Sequence, residues 1–141
     1  MSDTKWRLLF LAWMVALTAT LGSLFFSQIM MLPPCSLCWF QRICMYPLVI
    51  LLLTGLVSFE ESVLKYSLPL SGIGWGIALY HHLLYAKILP ENVSPCLQGV
   101  SCTTVQINWF GFVTIPLLSL TAFSLIIGLL IVLKMRFHEK T

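Results

Sequence analysis

The stretch PPCSLCWFQRICMYPLVILLLTGLVS, residues 33–58, opens with two prolines and a cysteine pair, then runs on almost without polar side chains. A helix crosses the hydrocarbon layer of a membrane with about 20 apolar residues, and 39–58 supplies a run of that length. Its one charge is Arg42, close to the start. Proline lacks an amide hydrogen and restricts the residue before it, so Pro33 and Pro34 end any preceding helix and leave a very short turn. The stretch therefore reads as a spanning helix that carries two thiols and a cation at one end.

Working outward, three further apolar runs cover 6–32, 66–88 and 112–133. The whole chain has 141 residues, 59% of them hydrophobic and 9% charged, with a mean hydropathy of +0.94. Ordinary soluble domains are roughly 45 to 50% apolar, so the composition argues against a soluble domain with an enlarged core. The first run follows Lys5 and Arg7 as a secretory signal would, but a signal's apolar stretch ends after about 7 to 15 residues. This one continues past Gly22 and Phe26, and it is expected to be a retained helix. The expected fold is all-α, an integral membrane antiparallel four-helix bundle in a single domain over 1–141, with an outer loop at 89–108.

The basic residues set the orientation. Lys5, Arg7, Lys65, Lys134, Arg136 and Lys140 fall on one side of a four-crossing chain, and Arg42 and Lys87 on the other. The positive-inside rule then predicts cytoplasmic termini, with the turn before helix two and the 89–108 loop outside. The net charge of +3 needs no nucleic acid to explain it. "GIGWG" at 72–76 has the small-xxx-small spacing that lets a neighbouring helix come close. Pro116 is expected inside helix four as a local distortion.

Four of the five cysteines, Cys35, Cys38, Cys96 and Cys102, fall outside in this topology, where disulfides persist. Structural bridges, a zinc site and a redox relay are all compatible with two such pairs. C-x-x-C is also a zinc half-site, but the C-x5-C spacing of the second pair is loose for one. The surroundings of Cys38 favour the relay. A cysteine at a helix start meets unpaired amides and the positive end of the macrodipole, which favour a thiolate. Arg42 lies four residues on, about 40° around the helix, so the two side chains share a face. An arginine inside a membrane helix costs about 2.5 to 3.5 kcal/mol on insertion scales and usually marks function, unless it snorkels to the headgroups.

The chain lacks both a haem-attachment motif and a dinucleotide fingerprint, so a lipid-soluble quinone is the economical electron acceptor. Arg42 would donate to a quinone oxygen and stabilise developing negative charge. His81 and His82, near the outer end of helix three, are candidates for hydrogen bonding or proton relay at the same level. Cys44, rotated about 240° from Cys38, reads as a buried apolar residue.

On "CSLCWFQR" entering helix two, and "PCLQGVSC" followed by "INWFGFVTIP" entering helix four, the chain resembles the DsbB family of disulfide bond formation proteins, in its short BdbC-like branch. The resemblance runs through all four helices. It implies a bacterial cytoplasmic membrane protein whose partner is an extracytoplasmic thioredoxin-like thiol oxidase of DsbA or BdbD type, with ubiquinone or menaquinone as cofactor. It further implies that Cys96 is attacked by the partner, that Cys102 is its loop partner, that Cys35 exchanges with that pair, and that Cys38 delivers electrons to the quinone. Arg42 matches the family arginine associated with quinone binding, and His81 matches a histidine of the short branch. Gln41 departs from the acid that longer members carry, and the close C-x5-C spacing departs from their longer loop. Two other classes compatible with the sequence are a thiol reductase of the vitamin K epoxide reductase type and a membrane protein with inert bridges or zinc.

Overall fold

The computed structural model describes residues 3–29, 36–58, 60–86, 88, 108–109 and 113–139. These form four helices: α1, Asp3–Leu24; α2, Ser36–Ser58; α3, Ser62–Tyr85; and α4, Ile115–Glu139. The last turn of α1 widens into a π-helix over Phe25–Ile29. Ahead of α4 lies a two-residue antiparallel ribbon, β1 (Asn108–Trp109) with β2 (Val113–Thr114), in which Asn108 faces Thr114 and Trp109 faces Val113.

Each helix packs on its neighbours in sequence, and α1 also packs on α4, which closes the ring. Successive helices run antiparallel, as the contacts of Arg42 with Ser23, Gln41 with His81 and Trp75 with Ser124 show. Between α2 and α3 the turn is so tight that the Val63 and Leu64 amides donate to the Glu60 and Glu61 carbonyls. At the end of the bundle holding the chain termini, the Lys5 ammonium lies 4.0 Å from the centre of the Phe137 ring, tying the start of α1 to the end of α4. That cation–π contact accounts for a lysine that is buried without appearing in an ion pair among the described residues.

Three helical segments, Asp3–Ile29, Ser36–Ser58 and Pro116–Glu139, are long and apolar enough to cross a membrane. The remaining helix, α3, is 24 residues long but carries Ser67, Ser71 and His81, all of which it buries against the other helices. A polar side chain on a spanning helix belongs inside the bundle, because lipid offers it no partner. Three segments of spanning length and a fourth helix that turns its polar side chains inward make the arrangement that of a multi-pass membrane protein.

The tightest packing lies toward the end with the termini. Leu48, Leu52, Phe123, Ile126, Leu130 and Leu133 are sealed from the surface, and Ala12 and Ala16 let α1 lie close against them. Small residues serve this purpose in a membrane, where helices associate by close van der Waals contact. The glycine motif in α3 works differently from its expected spacing. A Cβ on Gly72 or Gly76 would meet nothing, whereas one on Gly74 would run into the Phe123 ring, so the central glycine makes the close approach. Gly55 plays the same part on α2, where an added Cβ would sit 2.8 Å from Val63 Cγ1.

Several boundaries differ from expectation. Helix four begins at Ile115 rather than 112 because the ribbon occupies the residues before it, and it continues to Glu139, past the expected 133. Pro116 is consequently in the first turn, where a missing amide costs nothing, and it distorts no helix. Among the described residues, the prolines that do lie inside helices are Pro47 in α2 and Pro69 in α3. Helices one and three begin at Asp3 and Ser62, ahead of the expected 6 and 66, because polar residues are readily accommodated in a first turn outside the hydrocarbon.

Candidate functional site

Cys38 is the third residue of α2, within the first turn, where helix amides have no intrahelical partner. On one side it packs against an apolar pair from α2 and α3, Leu37 and Leu84. On the other it opens onto a cleft of about 600 Å³ between α1, α2 and α4. Gln41 and Arg42, one turn further along α2, line the same cleft. The expected Cys38 and Arg42 face therefore exists, and it fronts a real space.

That space is long. Along α1 its lining runs from Leu11 to Ser27, about 24 Å at the helical rise, and along α4 from Leu118 to Leu125. Apart from the polar side chains near Cys38 and a few hydroxyls, the walls are hydrocarbon. Leu11 and Leu125, which line it, are also 51% and 53% exposed on the outer surface of the bundle, so the cleft opens sideways between α1 and α4.

Arg42 is only 8% exposed, and it is held inward. Its Nε donates to Ser23 Oγ at 2.7 Å, and its Nη2 donates to the Ser23 carbonyl at 2.8 Å. A hydrogen bond from a charged group contributes about 1.5 to 3 kcal/mol, so two of them are on the scale of the cost of placing an arginine at this depth. The guanidinium carbon also lies 5.4 Å from the centre of the Trp39 ring. The snorkelling alternative is thus not what the side chain does.

His81 is buried behind Gln41 and is not on the wall of the cleft. Gln41 Nε2 lies 3.1 Å from His81 Nδ1. With the amide donating, Nδ1 is the acceptor and the ring proton is carried on Nε2. Gln41 is itself buried, so the pair links α2 to α3 just below Cys38. His82 has a buried Nδ1 with no hydrogen-bond partner among the described residues. Cys44 is buried in the main core beside Met45 and Leu48, as its position on the helix predicts. Cys35, Cys96, Cys102 and the loop over 89–107 lie outside the described residues.

Two participants were not assigned a role from sequence. Gln41 was visible as a polar side chain beside Arg42, but its contact with His81 was not. Ser23 carried no signal, since serine is common in apolar helices and its partner is 19 positions away.

The model of the family described as "Disulfide bond formation protein DsbB" matches residues 5–133. Disulfide bond formation protein C of Bacillus subtilis (strain 168) is 48% identical over 134 residues, which is 92% of this chain and 96% of the relative. A probable disulfide formation protein C of Halalkalibacterium halodurans is 48% identical over 126 residues, covering 89% of this chain and 92% of the relative. A probable disulfide formation protein of Metapseudomonas resinovorans is 43% identical over 136 residues, covering 96% and 94%. No solved structure matches the chain. Near-complete coverage in both directions, at this identity, means that the chain belongs to the DsbB family of disulfide bond formation proteins.

Proposed function

We propose that the protein is a thiol:quinone oxidoreductase of the bacterial cytoplasmic membrane, with its redox cysteines facing outside. It reoxidises an extracytoplasmic thioredoxin-like thiol oxidase and passes the electrons to ubiquinone or menaquinone. The observation that supports this best is the cleft. A thiol, an amide and a buried arginine stand together at one end of a long apolar slot that opens toward lipid. A lipid-soluble molecule with a polar ring and a hydrocarbon tail fits that distribution, and its volume is in the range of ordinary ligand pockets.

The thiol chemistry runs by exchange. The partner's thiolate attacks Cys96 of the Cys96–Cys102 disulfide, and its second thiol releases it, leaving both loop cysteines reduced. Those cysteines in turn reduce the Cys35–Cys38 disulfide. Each exchange moves two electrons and two protons without loss. When bound, the quinone supplies the two-electron acceptor that resets the cycle. The chain's own residues prepare for that step. Cys38 sits in the first turn of α2, where amides lack intrahelical partners, and Arg42 contributes N–H donors and a fixed positive charge to the same cleft. The hydrocarbon walls exclude water from the cleft, which strengthens both effects.

The test is quinone absorbance in the purified protein on addition of a reduced thioredoxin-like oxidase. Quinone reduction is expected with the wild type and not with Cys38→Ser. Equal reduction by both would remove Cys38 from the electron route.

A further inference from the structure

We propose that Ser23 is a positioning residue for the quinone site, gripping the guanidinium of Arg42 and fixing which of its N–H groups face the cleft. The proposal rests on the reading of the cleft as a quinone site and assigns a residue to it that lies on a different helix from Cys38.

A guanidinium is planar and offers five N–H donors in a fixed fork. Ser23 engages one edge of that fork twice, its hydroxyl accepting from Nε at 2.7 Å and its backbone carbonyl from Nη2 at 2.8 Å. Two contacts on one edge set both the plane and the rotation of the group. The N–H groups on the rest of the fork then have a defined direction, on a side chain that borders the same cleft as Ser23 itself. Without the grip, a long arginine side chain near a membrane interface would extend toward the headgroups.

The local backbone of α1 suits this role. The α-helix gives way to a π-helix at Phe25, two residues after Ser23. The change shifts the amide pairing by one residue, and such π segments recur at functional sites because they alter what nearby carbonyls can accept. A carbonyl also has two lone pairs, so Ser23 can accept from Arg42 alongside any helical bond. The neighbouring Ser27 hydroxyl turns back to the Leu24 carbonyl at 3.3 Å and takes no part. Among the described residues, Ser23 is the sole hydrogen-bond partner of Arg42.

The experiment measures equilibrium binding of a short-chain ubiquinone by quenching of tryptophan fluorescence. The full chain is used in a Cys38→Ser background, so that no turnover occurs. Ser23→Ala is expected to weaken binding about tenfold, the scale of one hydrogen bond to a charged group. In an Arg42→Ala background the same change should add nothing, because Ser23 acts through Arg42. Ser23→Thr and Ser23→Val have nearly the same shape and differ in the hydroxyl, so Thr should bind close to the parent and Val should not. This pair decides the question even if Ser23→Ala fails to assemble. Parent-like binding by both Ala and Val, or an equal loss with and without Arg42, would overturn the proposal while leaving the quinone site in place. A parent that binds no ubiquinone would overturn the quinone reading, and this proposal with it.

Discussion

The two ends of this bundle are built on opposite principles. Toward the chain termini, the helices meet through alanines, glycines and close-packed leucines, with Gly55 against Val63 and Leu52, Leu130 and Leu133 sealed from the surface. Toward Cys38, α1 widens into its π-helix, a cleft opens between α1, α2 and α4, and Gln41, Arg42 and His81 are buried with hydrogen-bond partners. The difference teaches that the membrane bundle spends its packing at one end to hold buried polar side chains beside an open, largely apolar cleft at the other. A buried polar group there is secure only while its partners stay in place, and the packed end keeps them there.

Substitutions should separate the two ends. The largest effect on activity belongs to Cys38→Ser, which should lower quinone reduction by at least two orders of magnitude while leaving thermal unfolding of the purified protein nearly unchanged. At the packed end the pattern reverses. Leu52→Ala should lower stability by about 2 to 5 kcal/mol through the cavity it leaves, measured by unfolding in detergent, with little change in quinone KM. If Leu52→Ala moved KM as far as a change in the cleft does, the division between the ends would fail.

Arg42→Ala is expected to raise the quinone KM about tenfold or more, and to affect thiol exchange with the partner much less. Steady-state kinetics with varied quinone reads the first, and trapping of the mixed disulfide reads the second. An unchanged quinone dependence would reduce Arg42 to an anchor between α1 and α2. Gln41→Leu should cost about 1 to 3 kcal/mol of stability, because it leaves His81 Nδ1 without the amide. Cys44→Ala should do least, on the order of 1 kcal/mol in stability with turnover preserved, since its thiol only fills space in the core.

The architecture was legible in the sequence because its signals are local. Apolar runs of spanning length, Pro33 and Pro34 between two of them, and basic residues at recurring positions are each read within a few residues. The Cys38 and Arg42 face was legible for the same reason, since helical geometry alone puts positions four apart together. What escaped depends on neighbours distant in sequence. That Gly74, and not Gly72 or Gly76, admits another helix is decided by Phe123 on α4. That His81 stands behind Gln41 is decided by how α3 is rotated against α2. The start of α4 was misplaced because 112–114 are apolar enough to extend a helix by composition, while the pairing of β1 with β2 claims that backbone first.

The cleft takes one long wall from α1 and the other from α4, the first and last helices of the chain described here. Chains are made and inserted from the N-terminus, so the thiol of Cys38 and the cation of Arg42 enter the membrane well before α4 exists. During that interval α1 has no helix opposite it, and the slot is simply a face open to lipid. Under the proposed function the quinone site is thus assembled in two stages of biogenesis, and a nascent chain stalled before α4 would carry Cys38 and Arg42 with only one long wall of the cleft.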